Sequence, residues 1–408
     1  MHTRRTFLAA AAAAASQRQA ILLRSGWQTV NIGDIAHTPG VLRLLERRLP
    51  GVSVILWPGS ADRGVEPMLR RAFPRLRLAQ SPAEVRDAFQ SASLFLHGSA
   101  PSITAQAQME EWRKATGKPY GCFGVTIPAL NPRLQTLLEG ASFVFTRETR
   151  SLENLKQAGL RGPKLAFAPD GTFSFDLRDD EKGERFLKEN GLERGKFIAV
   201  VPRLRYTPYH KIRKVDWLPE EIQRRTEANE RSQERDHSKL REAIVAWVRK
   251  TGGKALLCPE MTYEIGVLDP LLYDPLPEDV KPRVVRRKEF WLPDEAASIY
   301  RQAALVASFE CHSPIIAAVQ GTPCLYVHQP EDGIKGQMWK DIGLADWYYE
   351  VEETTGAALA ARVLEIGAAP ELSRRKVRGA VAYAQRLQSQ GMKVVRDSLS
   401  RHAPTTSG

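Results

Sequence analysis

The 408-residue sequence predicts an α/β protein made of two Rossmann-like domains facing a cleft. Three observations predict it. The chain is too long for one ordinary core, so two domains of roughly 150–200 residues each are expected. Short apolar runs alternate with segments of helical periodicity, first in one half and then in the other, the pattern of βαβ units and a mostly parallel sheet. Apolar residues make up 43% and charged residues 26% of the chain. That is ordinary for a soluble globular protein, and each half can bury a core without disulfides or metal.

In chain order, Ile21–Ser25 is an apolar run that leads into Gly26-Trp27-Gln28-Thr29-Val30-Asn31-Ile32-Gly33-Asp34. Val41, Leu42, Leu44, Leu45 and Leu49 recur at helical spacing, with Thr38-Pro39 as the expected N-cap and first-turn proline. Strands are expected at Val52–Trp57, Leu94–Leu96, Gly121–Thr126 and Phe143–Thr146, and helices at Pro82–Gln90, Gln106–Ala115 and Ser151–Ala158. The charge-dense, glycine-punctuated stretch Asp176–Lys196 reads as a linker. The second half offers strands at Phe197–Val201, Ala255–Leu257, Leu305–Ala307 and Pro323–Val327. Its expected helices are Lys239–Lys250, Asp294–Ala303 and Pro314–Val319, with a mobile, partly helical polar insertion at Tyr206–Ser238 and a basic C-terminal helix. The resulting division is an N-terminal α/β domain over 21–178, a linker over 179–196, a C-terminal α/β domain over 197–370, a helix over 371–400 and a disordered tail over 401–408.

Residues 1–15 read as a twin-arginine signal. Arg4-Arg5 precedes Phe7-Leu8 and an alanine run ending near Ala15. Export to the periplasm or cell envelope is expected, or a cytoplasmic location if the signal is not used. The run is too short for a stable membrane span, which needs about 20 residues. Cys122, Cys258, Cys311 and Cys324 are widely spaced with no metal-binding pattern, so reduced, buried thiols and no metal are expected. The net charge of +12 is scattered and accompanies no nucleic-acid motif, so small anions or an acidic glycan fit better than nucleic acid; a merely solvated basic surface fits equally well.

Ligands of open parallel sheets bind beyond the carboxyl ends of strands. Three loops there resemble one another: Asp34–Pro39, His97–Ser102 and Glu310–Pro314. Two of them read His-Thr-Pro or His-Ser-Pro ahead of a helix, which would gather an imidazole, free backbone N–H groups and a helix dipole at one point. The alternative is that Thr-Pro and Ser-Pro only start helices. Arg147, Arg203 and Arg205 follow strands on the same predicted edge and could hold a doubly anionic ligand bidentately. No nucleotide-binding loop, hydrolase elbow or zinc motif is present.

These residues resemble the polysaccharide pyruvyl transferase family. The resemblance rests on Asn31-Ile32-Gly33-Asp34, on Arg147-Glu148 with Ser151, Leu155 and Gly159, on Pro169-Asp170, on Arg203, and on His312, Gly321, Pro323 and Lys335. It covers about Ile21 to Trp347. It implies a two-domain glycosyltransferase-B fold and an enzyme that moves a pyruvyl group from phosphoenolpyruvate onto a glycan sugar as a ketal, with no cofactor. By the same resemblance His312 and Asp34 are the catalytic candidates. Asn31, Gly33, Arg147, Arg203, Arg205, Glu310, Ser313 and Lys335 are the candidates for substrate binding. For Asp34 the alternative is an Asx-type cap of the turn after Gly33. Where the family carries arginine two residues before the histidine, this chain has Glu310, a carboxylate that repels an anionic donor unless paired or protonated. Two other functions fit the residues: a glycosyltransferase of the same fold using a nucleotide sugar, and a non-catalytic exported glycan-binding protein.

Overall fold

The computed structural model describes residues 19–213 and 215–400. The twin-arginine segment and the tail lie outside them. Among the described residues the strands form two sheets, every pairing parallel. The first contains β1 (Ala20–Arg24), β2 (Ser53–Leu56), β3 (Arg77–Leu78), β4 (Leu94–His97), β5 (Tyr120–Val125), β6 (Phe143–Thr146) and β7 (Lys164–Phe167). The second contains β8 (Phe197–Val201), β9 (Lys254–Leu257), β10 (Val284–Arg286), β11 (Leu305–Ser308), β12 (Cys324–His328) and β13 (Tyr348–Glu350). Their orders are 3-2-1-4-5-6-7 and 10-9-8-11-12-13. Each sheet therefore grows both ways from its first strand, as in doubly wound folds. The register sets Ile21 beside both Val54 and Leu94, and Ile198 beside Leu305. Each sheet reverses direction once, between β1 and β4 and between β8 and β11, and those two crevices face each other. The inner strands are near-continuous buried apolar runs because helices cover both faces, while the edge strands β3, β7, β10 and β13 are only partly buried.

The edge strands β3, β7, β10 and β13 were not expected from the sequence, and four further segments differ from the expectation. The first helix, α1 (Ile32–Arg48), begins seven residues before Pro39. Asn31 caps it, its side-chain oxygen accepting from Gly33 N at 2.6 Å and Asp34 N at 3.2 Å. Pro39 removes one helical hydrogen bond, yet every residue from Ile32 to Leu42 is buried, and that packing carries the helix across the gap. The stretch read as a linker contains α2 (Asp180–Glu189), capped by Asp179. It docks on the second half through Ser298 Oγ to Asp180 at 2.9 Å, and a Cβ on Gly183 would lie 2.6 Å from that of Ser298. The polar stretch Tyr206–Ser238 is mostly the start of one 33-residue helix, α3 (Pro219–Thr251). Its first half is rich in helix-forming Glu, Arg, Gln and Ala with i,i+3 and i,i+4 ion pairs at Glu221, so the apolar stripe that betrays a helix appears only after Asn229. Finally, His97, expected in the loop after the strand, is the last residue of β4.

After β11 comes α4 (His312–Val319), and the chain ends in α5 (Pro370–Ser400). This last helix returns across the first sheet. Gln388 is fully buried and its amide donates to Asp170 O at 2.6 Å and Pro169 O at 3.3 Å, while Ser174 Oγ donates to its oxygen at 2.6 Å. The four cysteines are buried and unbridged. Among the described residues no helix is long and apolar enough to cross a membrane.

Candidate active site

A cleft of about 410 Å³ opens where the carboxyl ends of β1 and β4 face those of β8 and β11. Its walls include Asn31, Asp34 and Arg147 from the first half and Arg203, Glu310, His312 and Lys335 from the second. Seven of the ten residues singled out from the sequence thus meet in one hollow.

His312 opens α4, directly after Glu310-Cys311. Its Nδ1 lies 3.4 Å from Glu260 and its Nε2 3.9 Å from Asp170. Burial alone would lower its pKa, but the Cys311 sulfur and the Asp170 and Glu260 carboxylates outweigh that and hold it well above the ordinary imidazole value. His312 is therefore an imidazolium. Gly33 shares this space: a Cβ there would fall 2.4 Å from the His312 ring, so only glycine lets α1 approach the ring this closely.

Behind His312 lies a buried network on Asp170, which follows β7. Asp170 accepts from Arg147 Nη1 at 2.9 Å and Thr172 N at 2.9 Å, and its Oδ1 is 3.0 Å from His37 Nδ1. Burial would raise its pKa; His37, His312 and Arg147 reverse this and keep it well below the usual carboxylate range. Arg147 also donates to Thr126 Oγ1 at 2.7 Å, so its fork is largely committed to the protein. The ring of His37 meets that of His312 edge-on at 4.7 Å, and its Nε2 is 3.5 Å from Asp34. Asp34 accepts a hydrogen bond from the Gln28 amide. Burial pushes its pKa up, the His37 hydrogen bond and the charges on His37 and His312 pull it further down, and the net result lies below the usual range. Asp34 faces the cleft ionised.

The opposite wall is a four-charge cluster. Arg203 pairs with Asp332 and lies 3.0 Å from Glu310; Lys335 pairs with Asp332 at 2.6 Å, and Tyr326 donates to Asp332 at 2.7 Å. Two cations and two carboxylates cancel when all are ionised. Glu310 is the variable member. Burial raises its carboxyl and Glu260 and Asp332 add to that, against the pull of Arg203 and Lys335, leaving it pushed up to about 7. Its 3.0 Å contact with Arg203 lacks hydrogen-bond geometry, so Arg203 Nε and Glu310 Oε1 both remain buried without a hydrogen-bond partner. The carboxylate that replaces the family's arginine is thus both paired and close to its neutral form.

Three candidates lie elsewhere or do other work. Arg205 turns away from the cleft into a bidentate pair with Asp236 at 2.7 and 3.2 Å and meets Glu352 at 2.8 Å, because the next strand-end turn buries it against α3. Ser313 is fully buried: its N–H donates to Glu260 at 2.6 Å and its hydroxyl accepts from Tyr300 at 3.2 Å. The α4 start is thus already satisfied by a carboxylate and offers no free anion site there. Gly33 acts through His312. Of the histidine loops, His37 sits inside α1, and His97 is a structural histidine whose Nε2 accepts from Ala105 N at 3.2 Å, with burial lowering its pKa to about 4.

Sequence reasoning assigned no role to Asp170, Glu260, Asp332, Trp27, Gln28, Tyr209 or Arg213. Asp170 entered only through the Pro169-Asp170 motif of the resemblance, without a role; Glu260 likewise follows a proline just past a strand (Pro259-Glu260), and that was the available signal. Among the described residues His37, Asp170 and His312 present ligand-type atoms within 4.8 Å of one another. Arg147, 2.9 Å from the same carboxylate, already supplies the positive charge that a metal would bring.

Two opposed doubly wound halves with a charged cleft between them define the two-domain glycosyltransferase-B fold. Residues 31–327 match the polysaccharide pyruvyl transferase family, and the chain belongs to it. Solved structures share the fold at low identity. The UDP complex of S. aureus MnaA aligns with a TM-score of 0.58 at 10% identity, over 96% of this chain and 100% of that one. The UDP-GlcNAc 2-epimerase of Neisseria meningitidis bound to UDP-GlcNAc gives 0.53 at 12%, over 92% and 100%. A UGT transferase of Siraitia grosvenorii in complex with UDP gives 0.53 at 12%, over 94% and 98%. No curated protein matches the chain.

Proposed function

We propose that this chain transfers a pyruvyl group from phosphoenolpyruvate to two hydroxyls of a glycan sugar, forming a cyclic ketal and releasing phosphate. The observation that carries this reading is the imidazolium of His312 in the same cleft as the ionised Asp34, with Arg147, Arg203 and Lys335 on the walls. The reaction needs an acid for the enol carbon, an acceptor for hydroxyl protons and cations for a carboxylate and a phosphate.

In this mechanism His312 gives its proton to the terminal enol carbon, which becomes the methyl group. The electron-poor central carbon is attacked by a first sugar hydroxyl, whose proton passes toward Asp34. The carbon–oxygen bond to phosphate breaks, and the second hydroxyl closes the ketal. One of the two hydroxyl protons restores His312 and the other leaves with phosphate, so atoms and charge balance. Asp34 is a weak base at neutral pH. Its work is to orient the hydroxyl and take the proton as the new bond forms, with His37 and Asp170 aligned behind it. Arg203 meets the donor when Glu310 is neutral.

Thermal shift of the full chain tests the donor. Phosphoenolpyruvate should raise the Tm of the parent and raise it less in Arg203→Ala. Stabilisation by UDP-sugars alone would replace this reading with nucleotide-sugar transfer, and stabilisation by glycans alone would make the protein a glycan binder.

A further inference from the structure

A second cavity, of about 300 Å³, adjoins the cleft. The two share Trp27, Gln28, Gly59 and Arg213, so they lie side by side along the seam between the halves. The groups suited to an anionic donor (Arg147, Arg203, His312 and Lys335) line only the inner part. The outer part presents a different chemistry, with the half-buried Trp27 indole, the Asp62 carboxylate, and the guanidiniums of Arg63 and Arg213.

That outer wall is held in place. The Trp27 indole N–H donates to the Ser60 carbonyl, and Gly59 lies against the ring, where a Cβ would come within 3.3 Å of it. Arg213 closes the wall from the second half, donating to Gln28 at 3.3 Å. Arg63 has φ 54°, and among the described residues it is the one non-glycine residue with positive φ. Arg63 and Gly64, both at positive φ, are the central pair of a turn closed by Val65 N–H donating to Asp62 O at 3.0 Å, and this turn sets Arg63 at the rim of the cavity.

A flat indole face for the apolar side of a pyranose, beside carboxylate and guanidinium groups that grip vicinal hydroxyls, is sugar-recognition chemistry. We propose that the outer cavity is a subsite for the sugar units that follow the modified sugar along the acceptor chain, with Trp27 as the stacking platform and Arg63 as a polar clamp. The inference rests on reading the inner cleft as a site of group transfer to a glycan, and it makes this protein a reader of oligosaccharides of several units. The two arginines favour an acidic chain.

Calorimetric titration of the full chain with mono-, di- and tetrasaccharides tests it, using 1,4-linked glucose, N-acetylglucosamine and galacturonate series. At least one series should bind tenfold or more tightly as tetrasaccharide than as monosaccharide, and Trp27→Ala should abolish that gain. Arg63→Gly, which suits φ 54° and should keep or raise the Tm, should shrink the gain at least threefold, most of all for galacturonate. Absence of a length gain in all three series overturns the proposal. So does a gain that survives both substitutions. Phosphoenolpyruvate affinity, measured in the same samples, reads the inner site separately. Its absence would sink the pyruvyl-transfer reading while leaving the length dependence interpretable.

Discussion

Glu310→Gln is the perturbation that isolates the charge logic of the cleft. Glu310 is buried 3.0 Å from Arg203, and its carboxyl is pushed up to about 7. It is therefore ionised in about nine molecules of ten at pH 8 and about one of ten at pH 6. An anionic donor that engages Arg203 only when Glu310 is neutral has its Kd multiplied by the reciprocal of that neutral fraction, about 11 at pH 8 and about 1.1 at pH 6. The parent should thus lose about tenfold, or roughly 1.4 kcal/mol, relative to the glutamine variant on going from pH 6 to pH 8. Calorimetric titration with phosphoenolpyruvate at both values reads this. Taking the parent-to-variant ratio at each pH cancels the ligand's own titration. The same group acts on stability. Its folded pKa is raised above the ordinary value, so its contribution is complete below about pH 4.5 and is lost as pH rises through about 7. The parent should lose more Tm than the variant between pH 6 and 8. A ratio that is the same at both pH values would refute the reasoning, because Glu310 would then not gate Arg203.

Other outcomes follow from the same geometry. Gly33→Ala places a methyl 2.4 Å from the His312 ring; it should cost about 1–3 kcal/mol by urea titration and at least tenfold in turnover, although alanine favours a helix. Arg205→Ala leaves Asp236 buried without its bidentate partner and should cost about 3 kcal/mol of stability, while phosphoenolpyruvate affinity, read by titration, stays the same. Replacing Arg4-Arg5 by Lys-Lys should keep the protein in the cytoplasm on cell fractionation, if the twin-arginine reading of that segment holds.

The nine inner strands were legible because they are buried apolar runs at regular spacing, such as Ile21–Leu23 and Phe197–Val201, whereas the four edge strands β3, β7, β10 and β13, short and only partly buried, were not. Helix boundaries were less so. Thr38-Pro39 looked like a helix start because proline is usually found there, yet Asn31 caps the same helix and burial overrides Pro39. The first half of α3 hid because an exposed helix held by Glu–Arg pairs has no apolar stripe. In the site, residues on strand ends were foreseeable, and Arg147, Arg203, Glu310 and His312 do converge. Arg205, two positions beyond Arg203, points elsewhere, since side chains past a strand end no longer follow its alternation. The partners that set the charge states could not be read locally. Asp170 lies more than a hundred residues from both His37 and His312, Glu260 more than fifty from His312, and Gln388 reaches the Asp170 loop from the far end of the chain. Only the tertiary fold brings them together.

The most direct test of the central claim is phosphate release from phosphoenolpyruvate by the full chain, measured with and without glycan acceptor, in the parent and in His312→Ala. The account predicts acceptor-dependent release that falls at least a hundredfold in the variant while phosphoenolpyruvate still binds. Release that persists in His312→Ala would contradict the account, because the proton would then come from somewhere other than the imidazolium between Asp170 and Glu260.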